Sequence, residues 1–456
     1  MNEPLVKMTH VCQSWRNVLL STPSLWTQID FSFYKSKQAI EGFLGRSGDQ
    51  LLDVRLFLSD EKDAESCLPS TLDNIHRIRW LKIVSFHPHF DRVLESFASS
   101  APELECLAIV NNLTAASEET KLPRIFGGRL PKLAYLSLNH LDTDLRDFDF
   151  PSLTRFVFTR TTKISVRDLA SFLERCPLLE FAGISLPYTP EPPIPPPKSR
   201  VRLAALKELR FDQTASTCGL LDHLILPKCT EMTLKGLFTG EEIDWAGYPA
   251  ARIHPSSIDY LPVTREITKA AAMPNSCILS GPNGNLRFWS FDLTRGRFDA
   301  WYFTSFSPIF VLEIRELWVG QNGATRAPWN QTVAGARGAF GVLTKVEDLT
   351  IVSCETGPLF ATLGAIAGDC VLLPGLRRLT IYVGFGDVEV PTLVQCAKAR
   401  KKHSRPLGKV TVIFEEEPGA DFVGELESLR AFVGELVYSV GVTPRLFWET
   451  TDCSQW

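Results

Sequence analysis

PELECLAI at 102–109, PKLAYLSL at 131–138 and PSLTRFVF at 151–158 are copies of one phrase. Each reads proline, any residue, an apolar residue, two variable residues, then two apolar residues two places apart. The phrase returns as PLLEFAGI at 177–184, PKCTEMTL at 227–234 and PGLRRLTI at 374–381. Copies without the proline are IRWLKI at 78–83, LKELRF at 206–211, IRELWV at 314–319 and VEDLTI at 346–351. Its second apolar position falls at Leu81, Leu107, Leu136, Phe156, Ala182, Leu209, Met232, Leu317, Leu349 and Leu379. Successive gaps between these positions are 26, 29, 20, 26, 27, 23, 85, 32 and 30 residues.

Apart from the long gap, this spacing lies close to the period of leucine-rich repeats, whose L-x-x-L-x-L sets one short strand per repeat. The letters fit that physics. Leu107 and Ile109 alternate at period two, which buries one strand face and exposes the residues between. The leading proline has no N–H for a ladder and sits just before the strand. Helical patterns fill the spaces. Ser165 and Asp168 frame a capping box that opens a helix through Leu169, Phe172 and Leu173, stopped by Pro177. Thr392 and Gln395 repeat the device before a helix running to about His403. The expected fold is a right-handed α/β leucine-rich-repeat solenoid, with parallel strands on the concave face and helices on the convex face. A single repeat cannot bury its own apolar face, so stability comes from stacking neighbours.

Two segments break the period. Residues 187–200, PYTPEPPIPPPKSR, carry seven prolines; they read as a rigid loop, or else as a polyproline ligand. Residues 240–312 form an irregular insertion in which ILSGPNGNLRFWSF at 278–291 reads as a β-hairpin. The domain expectation is therefore a helical segment at 1–31 and a solenoid over 32–456.

Composition narrows the function. The chain has 456 residues, 45% hydrophobic and 22% charged, with a formal charge of −4. Lacking a basic excess, it does not read as a nucleic-acid binder. No apolar run is long enough to span a bilayer, so no membrane partner is expected. The N-terminus lacks the pattern of a signal peptide, which points to a cytoplasmic or nuclear protein. Its eleven cysteines are scattered without a C-x-x-C pair, and read as reduced thiols and core filler. Nucleotide-binding, hydrolase and metalloprotease motifs are absent, so no catalytic residue, metal or cofactor is expected. His87 and His89 read as a loop pair, with a metal site as the alternative. The run Lys398, Arg400, Lys401, Lys402, His403 and Arg405 is a solvated helix end, or else an import signal or acidic-partner patch.

Leu5, Met8, Val11, Cys12, Trp15, Val18 and Leu19 recur at helical steps, predicting one amphipathic helix over 5–20 that caps the solenoid. Thr22 and Pro23 then open a short turn to Trp26, and Ile29 and Phe31 alternate as a first strand. THVCQSWRNVLLSTPSLWTQIDF at 9–31 resembles the second half of the F-box of fungal (basidiomycete-type) F-box/leucine-rich-repeat proteins. There V-C-x-x-W-R precedes P-x-L-W and then I-D-F. Val11, Cys12, Trp15, Arg16, Pro23, Leu25 and Trp26 match those positions. The stretches at 42–59, 94–107 and 171–181 look like the same family. The L-P-x-E helix that opens such F-boxes is absent ahead of Leu5, so the F-box is incomplete.

The resemblance implies a protein-binding, substrate-recognition subunit of a cullin–RING ubiquitin ligase. It implies that Leu5, Met8, Val11, Cys12, Trp15, Leu25 and Trp26 face a Skp-type adaptor, which links to the cullin. The substrate, an unidentified protein, would meet the outward strand residues. Of these Trp80, Tyr135, Arg155, Phe181, Glu208, Arg210, Trp318 and Arg378 are the expected contacts, since aromatic rings and arginines make binding hot spots. The other reading of that face is that the chain's own loops cover it. The alternative function is a repeat scaffold that binds proteins with no ligase role, its N-terminal helices serving only as a cap.

Overall fold

Each copy of the repeated phrase folds as a strand. In this computed structural model the described residues are 3–32, 37–87, 89–112, 120–159, 164–185, 200–212, 220–236, 260–273, 276–290, 313–320, 340–352, 356–364, 366–367, 370–383 and 388–441. The Pro-rich loop up to residue 199, and much of the 240–312 insertion, lie outside them. The protein is mixed α/β, its strands mostly parallel, and it divides into two compact units, Met1–Cys229 and Thr230–Trp456.

In the first unit, helices α1 (Glu3–Met8) and α2 (Gln13–Leu20) precede β1 (Gln28–Asp30). Then follow α3 (Lys37–Arg46), β2 (Leu52–Leu58), α4 (Glu61–Asp73), β3 (Ile78–Ser85), α5 (Phe90–Glu95) and β4 (Cys106–Asn111). After these come β5 (Tyr135–Asn139), β6 (Arg155–Thr159), α6 (Val166–Glu174), β7 (Phe181–Ser185), β8 (Val201–Arg202), β9 (Glu208–Asp212) and β10 (Leu224–Ile225). Strands β1 to β7 and then β9 pair in chain order, all parallel, while β8 and β10 form a small separate pair.

Register turns the repeated letters into two continuous ladders. Val54, Leu81, Leu107, Leu136, Phe156, Ala182 and Leu209 are aligned across seven strands, none more than 2% exposed. Two residues on, Leu56, Ile83, Ile109, Leu138, Phe158, Ile184 and Phe211 make the second, equally buried. Burying each large side chain favours folding by about 1.5–3 kcal/mol relative to leaving it in water. Helices and short loops close over this face. Ser165 is the N-cap of α6 that the letters announced, its hydroxyl accepting from the Asp168 amide at 3.1 Å and donating to the Asp168 carboxylate at 2.8 Å. The buried Phe172 of α6 sets its ring 4.9 Å from Phe156.

The second unit contains β11 (Glu231–Gly236), β12 (Lys269–Met273), β13 (Ser276–Gly281), β14 (Gly284–Ser290), β15 (Glu316–Gly320) and β16 (Asp348–Val352). They are followed by α7 (Thr356–Gly364), the short pair β17 (Ile366–Ala367) and β18 (Cys370–Val371), and β19 (Arg378–Val383). Helix α8 (Val390–Lys402), β20 (Lys409–Phe414), α9 (Ala420–Glu427) and β21 (Glu435–Val440) complete it. The main order is β11-β14-β13-β12-β15-β16-β19-β20-β21. The expected hairpin exists and is built into the sheet. It joins β12, a strand the sequence did not announce, as an antiparallel meander between parallel β11 and β15. The ladder runs through it: Met232, Leu286, Leu279, Ala270 and Leu317 are aligned and at most 1% exposed. Gly284 makes the turn possible. Its φ is +128°, and a Cβ there would sit 1.9 Å from the Thr230 carbonyl oxygen.

Helix α8 opens earlier than Thr392 suggested. Glu389 is the N-cap, Pro391 lies in the first turn, and the Thr392 hydroxyl donates to the Glu389 carboxylate at 2.9 Å. Proline suits that place because its missing N–H has no intrahelical partner there anyway.

Three arginines each tie one turn of chain to the turn before it. Arg77 donates to the Leu44, Gly48 and Gln50 carbonyls and to the Ser47 hydroxyl. Arg175 donates to the Leu145, Arg146 and Phe148 carbonyls at 2.6, 3.2 and 2.8 Å. Arg400 donates to the Leu372 and Leu373 carbonyls at 2.8 and 2.9 Å. All these partners lie 27–33 residues back, one repeat away. Arg400 is fully buried, so the basic run is not a uniformly solvated helix end. Its guanidinium supplies donors to carbonyls that have left regular structure, which buried backbone requires.

Replacing Leu136 or Leu379 by Ala should cost about 2–5 kcal/mol in chemical denaturation, through lost burial and the cavity left behind. Burial also silences thiols: it pushes Cys67 and Cys176 up to about 12 and Cys396 to about 11, and raises Cys277 as well. Iodoacetamide on the native protein should therefore modify exposed Cys12 and spare these four, as read by peptide mass spectrometry.

Candidate functional site

The strand residues between and beside the ladders form the opposite face of each sheet, exposed in part in the first unit and buried at Ala271 and Ile278 in the second. In the first unit one row aligns Asp53, Trp80, Cys106, Tyr135, Arg155, Phe181 and Glu208. Five of the eight expected contacts thus share a single line. Arg210 stands in the next row, opposite Gly183. Trp318 and Arg378 belong to the second unit, on β15 and β19.

Trp80 and Tyr135 are half-buried and Arg155 is exposed. Phe181 departs from the expectation of an open ring, being only 3% exposed. The next residue on its side of the strand is Gly183, and the ring lies over it, 3.4 Å from where a Cβ would be. Guanidiniums from both neighbouring strands then cover it, Arg155 at 4.6 Å and Arg210 at 5.4 Å from the ring centre. Such stacking contributes about 0.5–2 kcal/mol and holds the two cations in place. Phe181 is a platform for arginines, not a contact of its own.

Ion pairs fix most of the remaining charge. Arg79 grips Asp53 through both carboxylate oxygens at 2.9 Å, which raises the pKa of Arg79. Arg55 reaches Asp30 at 3.3 Å and sits over the Trp80 ring at 5.8 Å. Arg210 pairs with Glu208 on its own strand. Burial, followed by the charges of Glu105 and Asp53, raises the pKa of Cys106.

On the second unit the corresponding row reads Glu231, Asn285, Ser280, Lys269, Glu316, Asp348, Arg378, Lys409 and Glu435. It is a ladder of cross-strand pairs: Lys269 with Glu316 at 2.8 Å, Arg378 with Asp348, and Lys409 with Glu435 at 2.9 Å. The Trp318 indole N–H donates to Glu316 at 2.7 Å. Trp318 and Tyr382 also pack on an apolar cluster of Ala271, Ile278 and Val352. A cleft of about 680 Å³ opens beside the row, between Glu266, Lys269, Glu313, Arg315 and Glu316. Its carboxylates Glu313 and Glu316 are already taken by Lys345 and Lys269. Individually such surface pairs contribute little to stability.

The N-terminal residues make the second candidate surface. The chain forms two helices where one was expected. After α1 the Thr9 hydroxyl turns back onto the Val6 carbonyl at 2.6 Å, and Cys12 is fully extended before α2. The break splits the expected apolar stripe. Leu5 and Met8 are half-buried and Leu19 is buried, while Val11 is 68%, Trp15 50% and Val18 59% exposed. Leu25 is 36% exposed and Cys12 is exposed as well.

Trp26 is a correction. It is 0% exposed, its indole donates to the Leu19 carbonyl at 2.8 Å, and its ring stacks on Phe43 at 5.6 Å beneath Arg46. It anchors the N-terminal segment and does not face a partner. Phe57 and Phe86, in ring contact at 5.3 Å and partly exposed, were missed. Alternation from Asp53 and Arg55 to Phe57 was the available signal.

His87 and His89 are used locally, the His89 amide donating to His87 Nδ1 at 3.1 Å. Among the described residues no group of three His, Cys, Asp or Glu is placed to hold a metal ion. No described helix is long and apolar enough to cross a membrane. No protein-family model matches this chain, and no curated protein matches it.

Proposed function

We propose that the chain is a right-handed leucine-rich-repeat solenoid of the F-box type. On this reading it is the substrate-recognition subunit of a cullin–RING ubiquitin ligase, working in the cytoplasm or nucleus. Its N-terminal helices dock a Skp-type adaptor, the open sheet face receives a protein substrate, and ubiquitin transfer is carried out by its partners. One observation carries the reading. Of the ten large apolar side chains left exposed among the described residues, five, Val11, Trp15, Val18, Leu20 and Leu25, fall within 11–25. Concentrated apolar exposure of this kind favours a surface that becomes dry on binding. Those side chains include three of the positions matching the F-box letters.

A repeat scaffold with no ligase role is the second reading, and Trp26 favours it. That ring lies at the centre of a packed cap, which would need the segment even without an adaptor.

Trp15 and Trp26 therefore separate the two roles. Trp15→Ala should abolish co-purification with a recombinant Skp-type adaptor and leave the melting temperature nearly unchanged. Trp26→Ala should instead destabilise the unit by about 3–5 kcal/mol. If the wild-type chain captures no adaptor at micromolar concentration, the ligase reading fails and the scaffold reading stands.

A further inference from the structure

We infer that the open face of the first unit takes an acidic, extended peptide segment, with an apolar side chain seated between Trp80 and Tyr135. This deepens the proposed substrate role of that face and rests on it. The seat follows from register. Trp80, Cys106 and Tyr135 are aligned on β3, β4 and β5, so two rings flank a small side chain. With strands about 4.8 Å apart, the ring-bearing strands are separated by about 10 Å. In the next row the floor is small again, with Ala108 and Ser137 side by side. A slot of this width, walled by half-buried rings, suits one aliphatic or aromatic side chain.

Charge selects the rest of the ligand. Arg55, Arg79 and Arg210 are each matched to a carboxylate on the protein. Among the described residues Lys82 and Arg155 have no ion-pair partner. Lys82 lies beside Ala108 at one end of the slot, and Arg155 beside Tyr135 at the other. Arg155 is held against Phe181, so its guanidinium is oriented before any ligand arrives. Glu105, which precedes β4, lies within the influence of Arg79.

The two cations are three strands apart, about 14 Å, the reach of about four extended residues. The segment that fits carries two carboxylates about that far apart with an apolar residue between them. Nucleic acid fits poorly. A continuous phosphate backbone needs many cations, whereas Asp30, Asp53, Glu105 and Glu208 border this face.

The test uses the full chain and two fluorescein-labelled dodecapeptide pools. One fixes a pair of Asp or Glu around mixed apolar residues; the other puts Lys at the same places. Fluorescence anisotropy should show the acidic pool binding at least about tenfold more tightly, with affinity falling as salt rises. Arg155→Glu, Lys82→Glu and Tyr135→Ala should each weaken it by about tenfold. Arg155→Gln, expected to lose less, serves if the charge reversal misfolds. Bound peptide should also slow alkylation of Cys106. Equal or tighter binding of the Lys pool, no binding of either, or full affinity in both Arg155 variants overturns the inference. Trp15→Ala should leave peptide affinity unchanged. Failure of the peptide preference is thereby distinguished from failure of adaptor docking.

Discussion

Each strand from β2 to β7, and β9 after them, must bury the same two positions against its neighbours, and the rest of the first unit depends on that constraint. A lone repeat offers Leu136 and Leu138 to water. Set between Leu107 and Ile109 on one side, and Phe156 and Phe158 on the other, they become interior. Because the register is parallel and unshifted from β3 to β9, the residues between fall into rows as well. The stacking that stabilises one face therefore arranges the other. Trp80, Tyr135 and Arg155 share a line because Leu81, Leu136 and Phe156 do.

The ends and seams of such a stack need separate solutions. Beside the first strand the buried Trp26 stacks on Phe43 and donates to the Leu19 carbonyl. Val11, Trp15 and Val18 of the same short segment stay exposed. Along the chain Arg77, Arg175 and Arg400 donate to carbonyls one repeat back, where loops would otherwise leave acceptors unmet. In the second unit a three-stranded meander spans the irregular region while keeping the ladder unbroken from Met232 to Leu317.

Much of this was legible in the letters. All ten repeat positions from Leu81 to Leu379 are strand residues and at most 1% exposed, because burial of a strand face imprints period two directly. The N-cap at Ser165 and the hairpin turn before Gly284 were equally local, and equally readable. What escaped depends on partners distant in sequence. The strand KAAAM at 269–273 carries no β-branched residue and is held by its neighbours on both sides. Phe181 looked like a free ring until Arg155 and Arg210 were brought over it. Trp26 matches a binding motif by letter, yet it is core by packing. Arg400 sits in a basic run whose other members gave no hint of its burial. A helix over 5–20 was the simplest reading of the apolar spacing, and a single threonine hydroxyl on a carbonyl marks where it breaks.

The proposed division between a docking segment and a substrate face is tested most directly by hydrogen–deuterium exchange on the whole chain, with and without a recombinant Skp-type adaptor. The account predicts that saturating adaptor slows exchange in residues 3–26 and leaves β3 to β7 unchanged, since the exposed apolar side chains of α2 would be covered and the open face would not. Unchanged exchange in 3–26 at micromolar adaptor, or protection that falls on β3 to β7, would contradict it.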